Sequence, residues 1–250
     1  MTKIILTGAC GHMGSVVQSV VATREDCEIV AGVDKYINPS VPFPVYESLD
    51  SVSEEANVVV DFSNPSLLDD LLNFCINNSK ALVIATTGYD EEQKSKITEA
   101  SKIIPIFFTY NMSLGINLLA SLAKKAVQVL GNGFDIEIIE QHHNQKIDAP
   151  SGTALMLADA IKEELDRPIK YEYDRHSKRE KRTKNEIGIH SIRGGTIVGE
   201  HEILFAGRDE NIKLSHSARS KEVFAVGAVN AAVYMKDKVA GMYDMAELID

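Results

Sequence analysis

The stretch Glu140 to Thr153, EQHHNQKIDAPSGT, brings two adjacent histidines, a lysine and a Pro-Ser-Gly-Thr turn within fourteen positions. The imidazoles of His142 and His143 and the ammonium of Lys146 supply positive charge and a transferable proton. The turn opens a helix through Ala154-Leu155-Met156-Leu157-Ala158-Asp159-Ala160-Ile161. The backbone N–H groups of Ser151, Gly152 and Thr153 therefore stand where a helix begins, which makes an anion site for phosphate or carboxylate. Such a set describes a pocket for a small acid that is protonated during a reaction. The plainer alternative is a loop with an N-capped helix and two surface histidines. The coincidence of charge, acid and anion cradle argues against it.

The elements upstream supply a nucleotide scaffold. Lys3–Thr7 is a short apolar strand, Gly8-Ala9-Cys10-Gly11-His12-Met13-Gly14 a glycine turn, and Ser15–Val21 the continuation into a helix. Strand, glycine turn and helix are the context a dinucleotide fingerprint requires. Gly8 allows the tight turn, Gly11 lets the backbone approach a pyrophosphate, and Gly14 lets the helix pack closely on the strand. The spacing is G-x-x-G-x-x-G, with Cys10 where the common fingerprint has glycine. A second strand, Glu28–Val33, ends in Asp34. That is about 20 residues on, the expected place for a carboxylate that binds the ribose hydroxyls. Lys35 follows and can neutralise a 2′-phosphate, so acid and cation together suggest use of either NADH or NADPH. The competing reading of Asp34 is a turn residue after a strand.

The alternation continues through strands at Asn57–Phe62, Ala81–Ala85 and Ile103–Phe108. Helices are expected from Pro65 and from an Asp90 cap. Repeated β-α-β units imply a doubly wound parallel sheet of α/β class, with ligands at the carboxyl ends of its strands. The turns at Gly8, Asp34, Phe62, Thr86 and Asn111 then line one edge.

The second half has a different pattern. A helix from Leu114 to Leu130 precedes Asp135–Glu140, an alternating strand with one wet face. The run from Arg167 to Asn185 is polar and strongly basic, and is expected to be a solvated mobile loop. The sharper alternative is a flap that attracts an anion. Ile187–Arg193, Thr196–Phe205 and Ile212–Ser217 predict an antiparallel meander with one covered face, and an open mixed sheet of this kind predicts a homo-oligomer. The small-residue helix Val223–Ala232 is expected to return to the first domain.

The chain has 250 residues, 44% hydrophobic and 25% charged, which is enough for a sizeable core in one large domain or two small ones. A net charge of −10 argues against nucleic acid or an anionic membrane as the main partner. No apolar run approaches the roughly 20 residues of a membrane span. Only Ile4-Ile5-Leu6 separates Lys3 from Thr7-Gly8, too short for the apolar stretch of a secretory leader. The three cysteines, Cys10, Cys27 and Cys75, form no disulfide framework and no metal spacing. The expectation is a reduced, cytoplasmic protein with no metal.

Taken together, these residues resemble one family, the dihydrodipicolinate reductases (4-hydroxy-tetrahydrodipicolinate reductases) of the diaminopimelate route to lysine. The resemblance rests on Gly8–Gly14, Asp61-Phe62-Ser63, Thr86-Thr87-Gly88, Asn111–Gly115, Glu140–Thr153, Glu186–Gly195, Val198–His201 and Gly241–Met245. It implies a Rossmann domain over residues 1–112 and 219–250, and an α+β mixed-sheet domain over 113–218 for substrate and tetramerisation. It also implies NADH or NADPH and a small cyclic dicarboxylate substrate. By position, His142 is implied as the acid/base residue and Lys146 as a second proton donor. His143, Gly152 and Thr153 are implied to hold substrate carboxylate. Gly8, Ala9, Cys10, Gly11, His12, Met13, Asp34, Lys35, Ala85, Thr86, Thr87, Thr109, Tyr110, Asn111 and Met112 are implied to contact the nucleotide. The chain departs from the family at Tyr110, where a small residue or proline is usual, and at Lys221, where arginine is usual. A chain on this fold that had lost catalysis would be a dinucleotide-responsive binding protein; intact His142 and Lys146 argue against that.

Overall fold

The computed structural model describes residues 1–38 and 40–249. In chain order its elements are β1 (Thr2–Thr7), α1 (His12–Val21), β2 (Cys27–Val33), β3 (Val45–Tyr46), β4 (Val58–Asp61), α2 (Leu68–Asn77), β5 (Ala81–Ile84), α3 (Glu91–Ser101) and β6 (Pro105–Phe108). They continue with α4 (Leu114–Leu130), β7 (Asp135–His142), α5 (Gly152–Glu163), β8 (Lys170–Glu172), β9 (Glu186–Arg193), β10 (Gly199–Ala206), β11 (Asn211–Ala218), α6 (Glu222–Met235) and β12 (Gly241–Tyr243). The chain divides into two compact units, Met1–Leu114 with Lys221–Asp250, and Gly115–Ser220.

The first unit is built on a seven-stranded parallel sheet of order β12-β6-β5-β4-β1-β2-β3. The middles of its central strands, residues 4–6, 58–60 and 81–84, are apolar because helices cover both faces. Ile4, Leu6, Val58 and Val60 face a layer that includes α1 and α6, while Ile5, Val59, Leu82 and Ile84 face α2 and α3. Fully burying one such side chain contributes about 1.5–3 kcal/mol. On α6 the buried face is Ala225, Ala228, Ala231 and Ala232, small enough for close approach to the sheet. Asp90 starts α3 as a reciprocal cap: its Oδ1 accepts from the Gln93 amide at 2.8 Å, and Gln93 Oε1 accepts from the Asp90 amide at 3.1 Å. Pro65 opens a single 3₁₀ turn, Pro65–Leu67, before α2 begins. The strand expected from Ile103 begins at Pro105, and β3 and β12 extend the sheet at its two edges.

In the second unit the five-stranded sheet has the order β11-β10-β7-β9-β8. Helices α4 and α5 cover one face through Ile116, Leu119, Ala123, Ala154, Leu157 and Ile161, against Ile136, Ile138, Ile189, Ile203 and Phe205. The expected three-strand meander is corrected here. β10 and β11 pair antiparallel, but β10 pairs on its other side with β7, and β9 runs parallel to β7. β7 takes the central place, so Gly194–Val198 is a crossing and not a hairpin.

The basic run is also corrected. It contains β8, and four of its cations, Arg175, Lys178, Arg182 and Lys184, pair with carboxylates of the same unit. Arg182 pairs with Asp135 at 3.0 Å and Glu137 at 2.9 Å, Lys184 pairs with Asp135 at 3.0 Å, and Arg175 and Lys178 pair with Glu186 and Glu172. Basic composition alone does not show that acidic partners lie on neighbouring strands.

Candidate active site

In the first unit the residues expected to contact a nucleotide gather at the carboxyl edge of the parallel sheet. β1 and β4 are neighbours there, and the chain leaves them toward opposite faces, which is where such folds bind ligands. Gly8 has φ +71°, and a Cβ there would collide with the carbonyl of Phe62. A Cβ on Gly14 would collide with the carbonyls of Gly8 and Ala9, so α1 can sit this close only with glycine. Gly11 is exposed and caps α1 with no side-chain hydrogen bond, which leaves the first turn's N–H groups to a ligand. Asp34 stands at the end of β2, where its Oδ2 accepts from the Cys10 amide at 2.9 Å and its Oδ1 from the Tyr36 amide at 3.0 Å. An open glycine turn, an uncapped helix start and a carboxylate held beside them fit the pyrophosphate and ribose of a dinucleotide.

Thr86 is buried, Thr87 exposed and Ala85 partly exposed, all just past β5. Tyr110, past β6, is 68% exposed, with the Lys94 ammonium 5.8 Å from its ring centre. The Met112 side chain lies in the core instead, so any ligand contact there falls to its backbone. Lys35 and His12 are exposed. Asp61 is fully buried and accepts from the hydroxyls of Thr7 at 2.5 Å, Ser63 at 2.5 Å and Tyr89 at 3.4 Å. It thereby ties the residue before Gly8 to the loop after β4.

In the second unit the residues expected to handle protons are His142, which ends β7, and Lys146, which follows it in the turn. Alternation buries Ile136, Ile138, Glu140 and His142 on one face of that strand. His142 is therefore the last residue of a strand and not part of a loop, and its position is set by the sheet. Glu140 has no exposed surface, and its Oε2 lies 2.5 Å from His142 Nδ1. Arg193 grips both Glu140 oxygens, at 2.9 and 2.7 Å. Burial by itself pushes the Glu140 carboxyl upward, but hydrogen bonds from Arg193, Ser191 and His142 prevail and hold it at about 2. Burial lowers the pKa of His142, and Glu140 opposes the shift. The ring thus donates through Nδ1 and keeps Nε2 for chemistry. A Cβ on Gly199 would come within 3.1 Å of that Nε2.

Past β7 the chain turns. Gly194 donates its amide to the His142 carbonyl at 2.9 Å, and Lys146 donates its amide to the His143 carbonyl at 3.1 Å. The Lys146 ammonium pairs with Asp148 at 2.8 Å, which draws the Asp148 carboxyl below its usual range. Ser151 caps α5, its Oγ accepting from the Ala154 amide at 3.1 Å. The expectation of three available amides is corrected at Ser151, whose N–H is taken by Glu140 Oε1 at 3.2 Å. A buried carboxylate needs several donors, and this is one of them. Gly152 is exposed and Thr153 partly so, at the positively polarised start of α5.

The family model described as "Dihydrodipicolinate reductase, N-terminus" matches residues 2–112, and "Dihydrodipicolinate reductase, C-terminus" matches residues 115–249. The chain belongs to the dihydrodipicolinate reductase family. It is 51% identical to the 4-hydroxy-tetrahydrodipicolinate reductase of Clostridium tetani over 245 residues, 98% of this chain and 96% of that protein. It is also 51% identical to that of Caldanaerobacter subterraneus subsp. tengcongensis over 249 residues, 100% of this chain and 98% of that protein. Among solved structures, the dipicolinate-bound dihydrodipicolinate reductase from Paenisporosarcina sp. TG-14 matches with a TM-score of 0.81 at 28% identity, with 100% of each chain covered. The chain is thus an oxidoreductase whose reaction is the family's reduction of 4-hydroxy-tetrahydrodipicolinate with NADH or NADPH.

Three residues around His142 were not singled out by sequence reasoning: Glu140, Arg193 and His201. For Glu140 the signal was present, since it stands two residues before His142 on an alternating strand and so shares its face. Arg193 is paired in register with His142 across β7 and β9, which no local pattern reveals. Among the described residues no cluster of three or more His, Cys, Asp or Glu could hold a metal ion, and no helix is long and apolar enough to cross a membrane.

Proposed function

We propose that the second unit protonates and anchors a small cyclic dicarboxylate during its reduction, and that His142 and Lys146 are the proton-handling residues. The product is tetrahydrodipicolinate, formed with loss of water, in the diaminopimelate route to lysine. The Glu140–His142 pair carries this reading: a fully buried carboxylate fixes one ring nitrogen and leaves the other for a proton transfer.

The Gly152 and Thr153 amides at the start of α5, with His143, hold a substrate carboxylate. In the nucleotide-binding unit the Gly8–Met13 turn, Asp34, Lys35, Ala85–Thr87 and Thr109–Met112 hold the cofactor. When bound, NADH or NADPH supplies the hydride. Elimination of the 4-hydroxyl as water leaves a conjugated C=C–C=N system. Reduction at one end places an electron pair at the other, and a proton from His142 Nε2 or the Lys146 ammonium takes it up. Burial, with the Lys146 and Arg193 charges, favours the neutral His142 ring against the pull of Glu140. The negative charge of a bound dicarboxylate favours the protonated ring and so loads the donor when substrate is present.

Dipicolinate, the ligand of the Paenisporosarcina relative, is the probe for this assignment. Calorimetry should show it binding the wild-type protein and binding Lys146→Met more weakly. Equal affinity for the two proteins counts against Lys146.

We also infer a homotetramer in the cytoplasm. Helices cover only one face of the second sheet; the other carries Ile139, Ile192 and Leu204 among polar residues, with Ile192 46% exposed. Such a face is suited to self-association. Light scattering during gel filtration measures the mass directly, and a monomer would rule out the tetramer.

A further inference from the structure

His201 takes no part in the proton chemistry described above, yet it is only 4% exposed. The register of β10 places it opposite Glu140 on β7 and opposite His216 on β11. Its Nε2 lies 3.1 Å from Ser151 Oγ, the same oxygen that accepts from the Ala154 amide. Its ring stands edge-on to His142, with centres 5.3 Å apart and planes at 76°.

The tautomer follows from the other nitrogen. His201 Nδ1 is buried without a hydrogen-bond partner. A buried N–H with no acceptor is rarer and more costly than a buried lone pair with no donor. The proton therefore belongs on Nε2, and the ring donates to Ser151. Burial pushes the imidazole down to about 4, so it is neutral at physiological pH.

Four residues thereby close a ring of contacts. Glu140 Oε2 meets His142 Nδ1 at 2.5 Å, and Glu140 Oε1 accepts from the Ser151 amide at 3.2 Å. Ser151 Oγ meets His201 Nε2 at 3.1 Å, and His201 packs back on His142. We propose that His201 is a positioning residue for the reduction, fixing the start of α5 against the His142 imidazole so that carboxylate cradle and proton donor keep one spacing. The inference rests on the reading of His142 and the α5 amides given above.

The test compares His201→Leu, which removes the donor, with His201→Gln, whose amide nitrogen can reach the same oxygen, and with Ser151→Ala alone and combined with His201→Leu. Readouts are KM for 4-hydroxy-tetrahydrodipicolinate, Ki for dipicolinate, Kd for NADH and Tm. His201→Leu should raise KM and Ki about 10-fold, the loss of roughly one hydrogen bond, with Kd for NADH unmoved. His201→Gln should recover most of that, and the double variant should be no worse than the worse single variant. A packing role alone would lower Tm and leave KM and Ki at wild-type values, and that result overturns the proposal. So does a double variant whose losses multiply. Should His201→Leu fail to fold, the Gln and Ser151→Ala variants decide: Gln at wild-type KM beside a raised KM in Ser151→Ala supports it, and Ser151→Ala at wild-type KM and Ki overturns it. Wild-type protein that fails to bind dipicolinate would indict the cradle itself, a separate failure.

Discussion

Glu140 and His142 stand two residues apart on the buried face of β7, with Oε2 and Nδ1 2.5 Å apart. The carboxylate, held at about 2, is ionised throughout the working range, so the imidazole proton nearest to it is fixed on Nδ1. Replacing Glu140 by Gln keeps the shape and removes the charge. The His142 pKa should fall further, since Glu140 is what opposes the effect of burial. In the wild type, kcat/KM should decline above a pKa below 6.5, and the corresponding limb of kcat should lie at higher pH, because bound substrate favours the charged ring. In Glu140→Gln both limbs should move to lower pH. A pH profile unchanged by the substitution would contradict the role given to this pair.

Acid stability offers a second check. His201 has its folded-state pKa depressed to about 4 from 6.5, so its contribution to stability is complete above pH 6.5 and is lost as pH falls toward 4. Glu140 is depressed to about 2 from 4.5, so its contribution is complete above 4.5 and is lost only as pH falls toward 2. Tm should therefore begin to drop below pH 6.5, before the Glu140–Arg193 pair is touched. His201→Gln should flatten the drop between 6.5 and 4. Identical Tm slopes in the two proteins over that interval would contradict it.

Gly199 gives a steric prediction. A methyl group there would sit 3.1 Å from His142 Nε2, tighter than ordinary contact. Gly199→Ala should displace or crowd the reactive nitrogen and cost about 10² in kcat, as misplaced catalytic groups do. Nucleotide affinity should not change, because the loop proposed to hold it lies in the other unit. Steady-state kinetics with full activity would show that Nε2 needs no such space.

Much of this was legible in the chain. The glycine turn at Gly8–Gly14, the Asp34 terminus and the Asp90 cap are local patterns, and the structure has them where spacing puts them. The strand pairing of the second sheet was not, because β9 and β10 are sequence neighbours separated in space by β7. For the same reason the polar layer of the site escaped. On β7, β10 and β11 the buried face runs from apolar to polar at one level, Ile138 to Glu140, Ile203 to His201 and Leu214 to His216, and only register aligns the three. Arg182 and Lys184 illustrate the same limit, since their carboxylate partners lie on β7.

Asp34 tests the nucleotide assignment. Its carboxylate accepts from the Cys10 amide and so shapes the glycine turn, and the proposal gives it the ribose as well. Asp34→Ala should weaken NADH more than NADPH, because Lys35 remains to meet a 2′-phosphate. Fluorescence titration with each cofactor measures both constants. Equal weakening would mean that Asp34 serves only the loop.

The most direct measurement is loss of nicotinamide absorbance with substrate generated in situ from pyruvate and aspartate semialdehyde by the preceding synthase, run with NADH and with NADPH, for wild type and His142→Gln. Rapid substrate-dependent oxidation is expected in the wild type. Turnover should fall by about 10²–10⁴ in the variant, with nucleotide binding nearly unchanged. Undiminished turnover in His142→Gln, or a wild-type protein that binds nucleotide tightly and oxidises none, would contradict the account.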